Sequence, residues 1–444
     1  MLKKFTTYMS RNWVKVYFAV ALACIVFAYG VIVGAYKVFP FSTLAGAVGT
    51  FKHYRTQMKN EFPGLTPARY KGEGAVVNKE GLTYPGVTLI AIPWHEGDDW
   101  LQSLRLVDME GKTLHKWTVE PEAVWSESPH QDLMRGTKST KLGTHIHGSV
   151  LLPGGDVVFN LSHYGLLRLN ACSEIVWKVP YRAHHSVHMD EYGNFWAPGE
   201  IWHDKPIEKF PGFSTPFVED TIIKVSPSGE IIREISILES IYRSGYEGLL
   251  FSSGRHKFSG DATHNNDVEV LESRLSADFE GLNAGDIMVS LRNISTVLII
   301  DGETELVKWA LQHPFVLQHD PDFVEGGFIS VLDNRPNMEG NAPAFEGSRI
   351  VRVRPFSNEV EIIYASSADN NFYTRGGGKH QNLPNGNLLI GEPYAGRLFE
   401  VTRDGELVWS WLAERWSDGD IRVPELSDGS RYPKDFGNFP KDCL

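Results

Sequence analysis

VDMEGKTLHKW (107–117), LNACSEIVW (169–177), VSPSGEIIREI (225–235), IDGETELVKW (300–309), VRPFSNEVEII (353–363) and VTRDGELVW (401–409) are six renderings of one pattern. In each, a turn lies between apolar residues, and a bulky aromatic often follows. Alternating apolar residues on both sides of a Gly, Asn or Ser turn signal two antiparallel strands, so each stretch reads as a β-hairpin. A second element precedes five of the six: LPGGDVVF (152–159), DEYGNFW (190–196), AGDIMVSL (284–291), EGGFISVL (325–332) and LPNGNLLIG (383–391). Two hairpins make a four-stranded module, and a module repeated around an axis leaves only short, protected edges. The repeat therefore predicts an all-β, six-bladed β-propeller over residues 86–444. Insertions near 203–220, 238–262, 271–284 and 335–347 are expected to lengthen blades or form loops over one face. A β-sandwich is the alternative, but it does not account for six copies of one turn.

Working outward to the N-terminus, VYFAVALACIVFAYGVIVGAY (16–36) contains no charge. At helical rise it matches the hydrocarbon thickness of a bilayer and predicts one transmembrane helix. Lys3, Lys4, Arg11 and Lys15 precede it and Lys37 follows. The cationic bias places residues 1–15 in the cytoplasm and the large domain outside, a single-pass protein of the cell inner membrane with a periplasmic or extracellular domain. A cleaved signal peptide would have a shorter apolar run, and the lipoprotein-like ALAC at 21–24 is followed by further apolar residues. Residues 37–85 read as a linker.

Composition sets limits on function. Across 444 residues, 43 Lys+Arg oppose 55 Asp+Glu. All five basic residues of the first 37 lie beside the span with no acid among them, so the rest of the chain carries −17. A surface that acidic repels a phosphate backbone, which excludes nucleic acid as the expected partner. Three cysteines, Cys24, Cys172 and Cys443, are too few for a disulfide framework or a thiolate zinc site. Pairing of Cys172 with Cys443 stays open at this level.

Aligned on the second glycine of each inner turn, the modules share a histidine. His147 lies eight positions before Gly155, His185 eight before Gly193 and His319 eight before Gly327. In the fifth copy that place is Gly378, with His380 two residues on, and THNNDVEVL puts His264 at the start of the corresponding strand of the remaining module. The innermost strand of a blade lines the central channel, so one repeat position forms a ring at its mouth. His145, His184 and His188 are adjacent but off register. Arg292, in SLRN, ends a strand that points to the same mouth and offers a planar fork to an anion. Imidazole and guanidinium, with no clustered inward carboxylates expected, favour an anionic ligand over a cation.

HHSVHMDEYGNFW (184–196), THNNDVEV (263–270), SLRNISTVLIID (290–301), QHDPDF (318–323) and QNLPNGNLLIG (381–391) resemble the PAPS-independent aryl sulfotransferases of bacteria. That resemblance covers roughly residues 90–410. It implies a six-bladed propeller exported from the cytoplasm, without a cofactor, that moves a sulfuryl group from an aryl sulfate donor to a phenolic acceptor through a sulfohistidine. Carried over by position, it makes His319 the nucleophile, with His264, Arg292 and His185 around the sulfuryl oxygens and His147, His380 and Asn265 as substrate contacts. The family's N-terminal dimerisation domain has no counterpart in the 37–85 linker, so homodimerisation is an open alternative. Two other functions remain open from the residues: a non-catalytic propeller binding an anion or a partner in a membrane assembly, and a metal-dependent hydrolase that uses the histidine ring.

Overall fold

Each of the six sequence hairpins forms the last two strands of a different antiparallel sheet in the computed structural model of the chain. The structure describes residues 2–36, 38–39, 64–97, 99–119, 124–125, 145–251, 258–337, 343, 345–436 and 443, with residues 2–12, 99, 258–259 and 418 as backbone only. Most of the expected linker and parts of the 238–262 and 335–347 insertions lie outside these residues.

The chain divides into two compact units, residues 1–63 and 64–444. The first holds one helix, Leu2–Tyr36. Its stretch Trp13–Tyr36 has a mean hydropathy of 2.6 over its most apolar window and is long enough to cross a membrane.

In the second unit the sheets follow chain order. The second sheet comprises Ile146–Leu151, Val157–Leu161, Gly165–Leu169 and Ile175–Val179. The third runs His188–Met189, Phe195–His203, Phe213–Val225 and Ile231–Ser236, with Phe258–Asp261 added in parallel. The fourth is Asn265–Val270, Ile287–Leu291, Thr296–Ile300 and Val307–Leu311. The fifth is His319–Val324, Phe328–Asp333, Arg349–Val353 and Val360–Ala365. The sixth is His380–Asn382, Leu388–Glu392, Arg397–Val401 and Leu407–Leu412, extended by Gly74–Asn78. This all-β, propeller-like architecture agrees with the sequence repeat.

The first sheet explains why only five modules showed a second element. Its strands Gly86–Glu96, Asp99–Val107 and Thr113–Val119 take their innermost neighbour from the far end of the chain, Asp428–Pro433. Asp428 pairs with Ala91 and Pro433 with Gly86, so the C-terminus closes the arrangement. Part of the 37–85 segment also joins the sheets: Gly74–Asn78 pairs with the last strand of the sixth, and Leu65–Pro67 pairs with Asp420–Pro424. Cys172 and Cys443 form a disulfide between the second sheet's outer turn and the C-terminal tail.

Local chemistry sets the turns. Asp108 accepts from the N–H groups of Glu110 and Lys112, and Asn170 from those of Cys172 and Glu174, while Gly111 and Ser173 take positive φ. Middle strands such as Val157–Leu161, Ile287–Leu291 and Thr296–Ile300 are buried throughout, because neighbouring sheets cover both faces. The recurring aromatic latches one sheet to the next. Trp117 donates to Gly155 O at 2.9 Å, Trp177 to Pro227 O at 3.0 Å and Trp409 to Met109 O at 2.9 Å.

Candidate active site

The first strands of the second to fifth sheets each begin at or just after a histidine. His147, His185, His264 and His319 line one cavity of about 290 Å³, together with Arg292 and His145. Backbone pairing sets Arg292 beside His264: Arg292 N–H donates to His264 O and Asn293 N–H to Thr263 O, both at 3.0 Å. The rings of His147 and His185 are 4.3 Å apart and those of His185 and His264 4.9 Å. His185 and His264 both sit in the left-handed region, at φ 54° and 55°, as does Asp320 at 53°. Side chains rarely adopt that conformation, and the surroundings have to enforce it. For His185 the restraint is Asn160, whose amide donates to the carbonyls of His184, His185 and Ser186 at 3.0, 3.1 and 2.8 Å. Gly148 is required beside it, because a Cβ there would meet His185 O at 2.3 Å.

Two histidines are oriented differently. His319 Nδ1 lies 2.7 Å from Asn334 Oδ1, and the Asn334 amide nitrogen donates to Thr374 O and Gly377 O. The amide oxygen must therefore accept, so Nδ1 carries the proton and Nε2 the lone pair. Gly377 N–H donates to that Nε2 at 3.0 Å. His264 Nδ1 instead meets a carboxylate, Asp261 Oδ2.

The electrostatics favour neutral imidazoles beside the Arg292 guanidinium. Burial pushes His319 down to about 3, and the Arg292 guanidinium adds to the effect. Burial likewise holds His184 near 3 and His145 near 4, with His147 and His185 well below the ordinary value. Among the described residues Arg292 has no carboxylate within 4.0 Å; its Nη1 donates to Asn293 Oδ1 at 3.3 Å and its buried Nε has no partner.

Two expected contacts lie elsewhere. His380 is not among the cavity-lining residues; its Nδ1 meets Asp320 at 2.9 Å and its Nε2 meets Ser330 Oγ at 2.5 Å. Asn265 is fully buried in its strand, also off the cavity, with neither amide atom partnered.

The expectation of no clustered inward carboxylates is overturned. A smaller void of about 20 Å³, also bordered by His147, His185 and His319, is lined by Asn266, Asp267, Asp320 and Lys379. Asp320, Asp322 and His380 bring potential ligand atoms within 4.8 Å of one another. Lys379 lies 3.6 Å from Asp320, and with His380 it keeps that carboxyl low although burial opposes. Burial and Asp320 push Asp267 up to about 7. The residues on which sequence reasoning was silent, Asn334, Asp261, Gly377, Tyr394 and Glu425, come from segments outside the repeat register, where no periodic signal marks them.

A family model described as arylsulfotransferase (ASST) matches residues 148–414. No curated protein matches the chain. Among solved structures, a protein of unknown function from Bacteroides caccae is similar, at 13% identity over 77% of this chain and 100% of that one, with a TM-score of 0.44. TolB from Acinetobacter baumannii is similar at 11% identity, over 80% and 69% of the two chains, with a TM-score of 0.43. The Myceliophteria thermophila Cps50 (Swd1) β-propeller domain is similar at 10% identity, over 79% and 91%, with a TM-score of 0.41. These likenesses are of fold alone.

Proposed function

The chain belongs to the arylsulfotransferase family, and from that premise we propose that it transfers a sulfuryl group from an aryl sulfate to a phenol through a covalent intermediate on His319. The observation that carries this reading is the His319 Nδ1 to Asn334 bond, which leaves the Nε2 lone pair in a cavity with a guanidinium that has no carboxylate within 4.0 Å among the described residues. In the first step Nε2 attacks sulfur and the bond from sulfur to the aryl oxygen breaks. His264, oriented by Asp261, gives a proton to the departing phenolate. In the second step His264 takes the proton of the acceptor phenol, the phenol oxygen attacks sulfur, and the N–S bond breaks to regenerate His319. Arg292 and the N–H groups of the neighbouring imidazoles hold the charge spread over the sulfuryl oxygens. The Gly377 N–H that now caps Nε2 must move aside for attack. It lies in a run of three glycines, Gly376–Gly378, two of them at positive φ.

Incubation with p-nitrophenyl sulfate and no acceptor should leave one sulfuryl group on the protein, mapped by peptide analysis to His319 and removed by added phenol. A label on another histidine, or a fully active His319→Ala variant, overturns the assignment. We further infer a retained anchor at Trp13–Tyr36 with the catalytic unit outside the cytoplasm. The cationic flank and the Cys172–Cys443 disulfide both support that side.

A further inference from the structure

Of the six sheets that carry the repeat, five bring histidines or glycine backbone to the cavity. The first sheet does not. The segment entering its innermost strand is Glu425–Ser427, and it lines the same cavity. Three backbone bonds fix that segment, Glu425 N–H to Gly64 O at 2.9 Å, Leu426 N–H to Pro393 O at 3.0 Å and Ser427 N–H to Ala91 O at 2.9 Å. The Glu425 carboxylate makes no hydrogen bond and no ion pair within 4.0 Å among the described residues. A half-buried carboxylate that the Arg375 guanidinium acts on without an ion pair within 4.0 Å among the described residues, in a cavity otherwise furnished for an anion, is open to a cationic or donating guest.

Tyr394 lines the same cavity as Arg292 and Glu425. Burial pushes its phenol up, Glu425 adds to that, and the guanidiniums of Arg375 and Arg292 oppose it, so Tyr394 lies within electrostatic reach of both Arg292 and Glu425. Burial pushes the Glu425 carboxyl up and the Arg375 guanidinium opposes that, whereas Arg292 interacts with Tyr394 and Asp261. The Arg375 guanidinium stacks 4.0 Å from the Tyr394 ring centroid, which holds the ring in the cavity wall.

Resting on the sulfotransfer reading above, we propose that the cavity is bipolar and selects phenolic substrates that carry an ammonium group opposite the reacting oxygen, with Glu425 as the selecting residue. The reacting oxygen lies toward His319 and Arg292, the aromatic ring runs past Tyr394, and the ammonium meets Glu425. Anionic phenols are disfavoured at that end by the same charge.

The test compares 4-hydroxybenzylamine with its near-isostere 4-ethylphenol and with 4-hydroxyphenylacetate, first as equilibrium binding by calorimetry at pH 7, then as acceptors with p-nitrophenyl sulfate as donor. We expect the ammonium compound to bind about tenfold more tightly than 4-ethylphenol, the worth of a charge-assisted contact. Glu425→Gln should bring that ratio close to one, and Glu425→Lys should turn the preference toward 4-hydroxyphenylacetate. Ratios are read within each variant, so a general loss of folded protein cancels, and the wild-type comparison stands even where a variant does not fold. Equal binding of the amine and 4-ethylphenol by the wild type, or a preference untouched by both substitutions, overturns the proposal. Selective binding without any sulfuryl transfer would retire the parent reading and keep this one; transfer without selection would do the reverse.

Discussion

His319 and His264 carry the same side chain and differ in what holds Nδ1. A neutral amide on His319 gives the ring no charge to balance, so burial and Arg292 keep it unprotonated down to about 3. A nucleophile needs that state. On His264 a carboxylate, Asp261, holds Nδ1 and orients the ring. Exchanging the amide for a carboxylate should therefore move His319 toward the wrong state. In Asn334→Asp the imidazolium gains an opposite charge at the 2.7 Å contact, and its proton affinity rises. The wild-type profile of kcat/KM for p-nitrophenyl sulfate owes nothing to His319 titration above about pH 4, since the ring is already neutral there. A rise of about one to three pKa units from about 3 should make the variant lose activity as pH falls through about 6 to 4. An unchanged acid limb in the pH–rate profile would show that Asn334 does not set the state of His319.

Elements here are held by what passes between sheets more than by the strands alone. Trp117 is fully buried against the core of the first and second sheets, and its indole N–H reaches Gly155 O in the next inner turn. Its counterparts Trp177 and Trp409 make the same kind of latch at other junctions. Trp117→Ala removes the largest side chain at that junction and orphans a buried carbonyl. Urea denaturation should show a loss of about 3–5 kcal/mol, as for other buried aromatic truncations. A loss below about 1 kcal/mol would mean that the aromatic of the repeat is surface filling and not a latch.

At the scale of the whole molecule, the C-terminal strand completes the first sheet, and Ser149 of the second sheet hydrogen-bonds Asp428 of that strand at 2.6 Å. The disulfide ties Cys172 to Cys443 across 271 residues of chain. If the large unit lies outside the cytoplasm, these sulfurs should be oxidised and reachable only from that side. An impermeant maleimide applied to spheroplasts should label Cys172 and Cys443 only after an impermeant reductant. Labelling without reductant sinks the disulfide, and labelling only after lysis sinks the orientation.

The repeat, the all-β class and the apolar helix were legible in the sequence because each rests on local periodicity: a turn every hairpin, an aromatic after the turn, an unbroken apolar run. The repeat register singled out His147, His185 and His319, and the start of the corresponding strand singled out His264; all four line one cavity. Tertiary structure decided what falls outside that register. It moved His380 onto Asp320 and Ser330, set Asp261 and Asn334 behind two different histidines, gathered carboxylates beside the cavity, and placed Glu425 at its rim. These partners come from non-repeating loops and from the C-terminal segment that closes the first sheet. Their proximity depends on how the sheets associate, a relation that no spacing along the chain encodes.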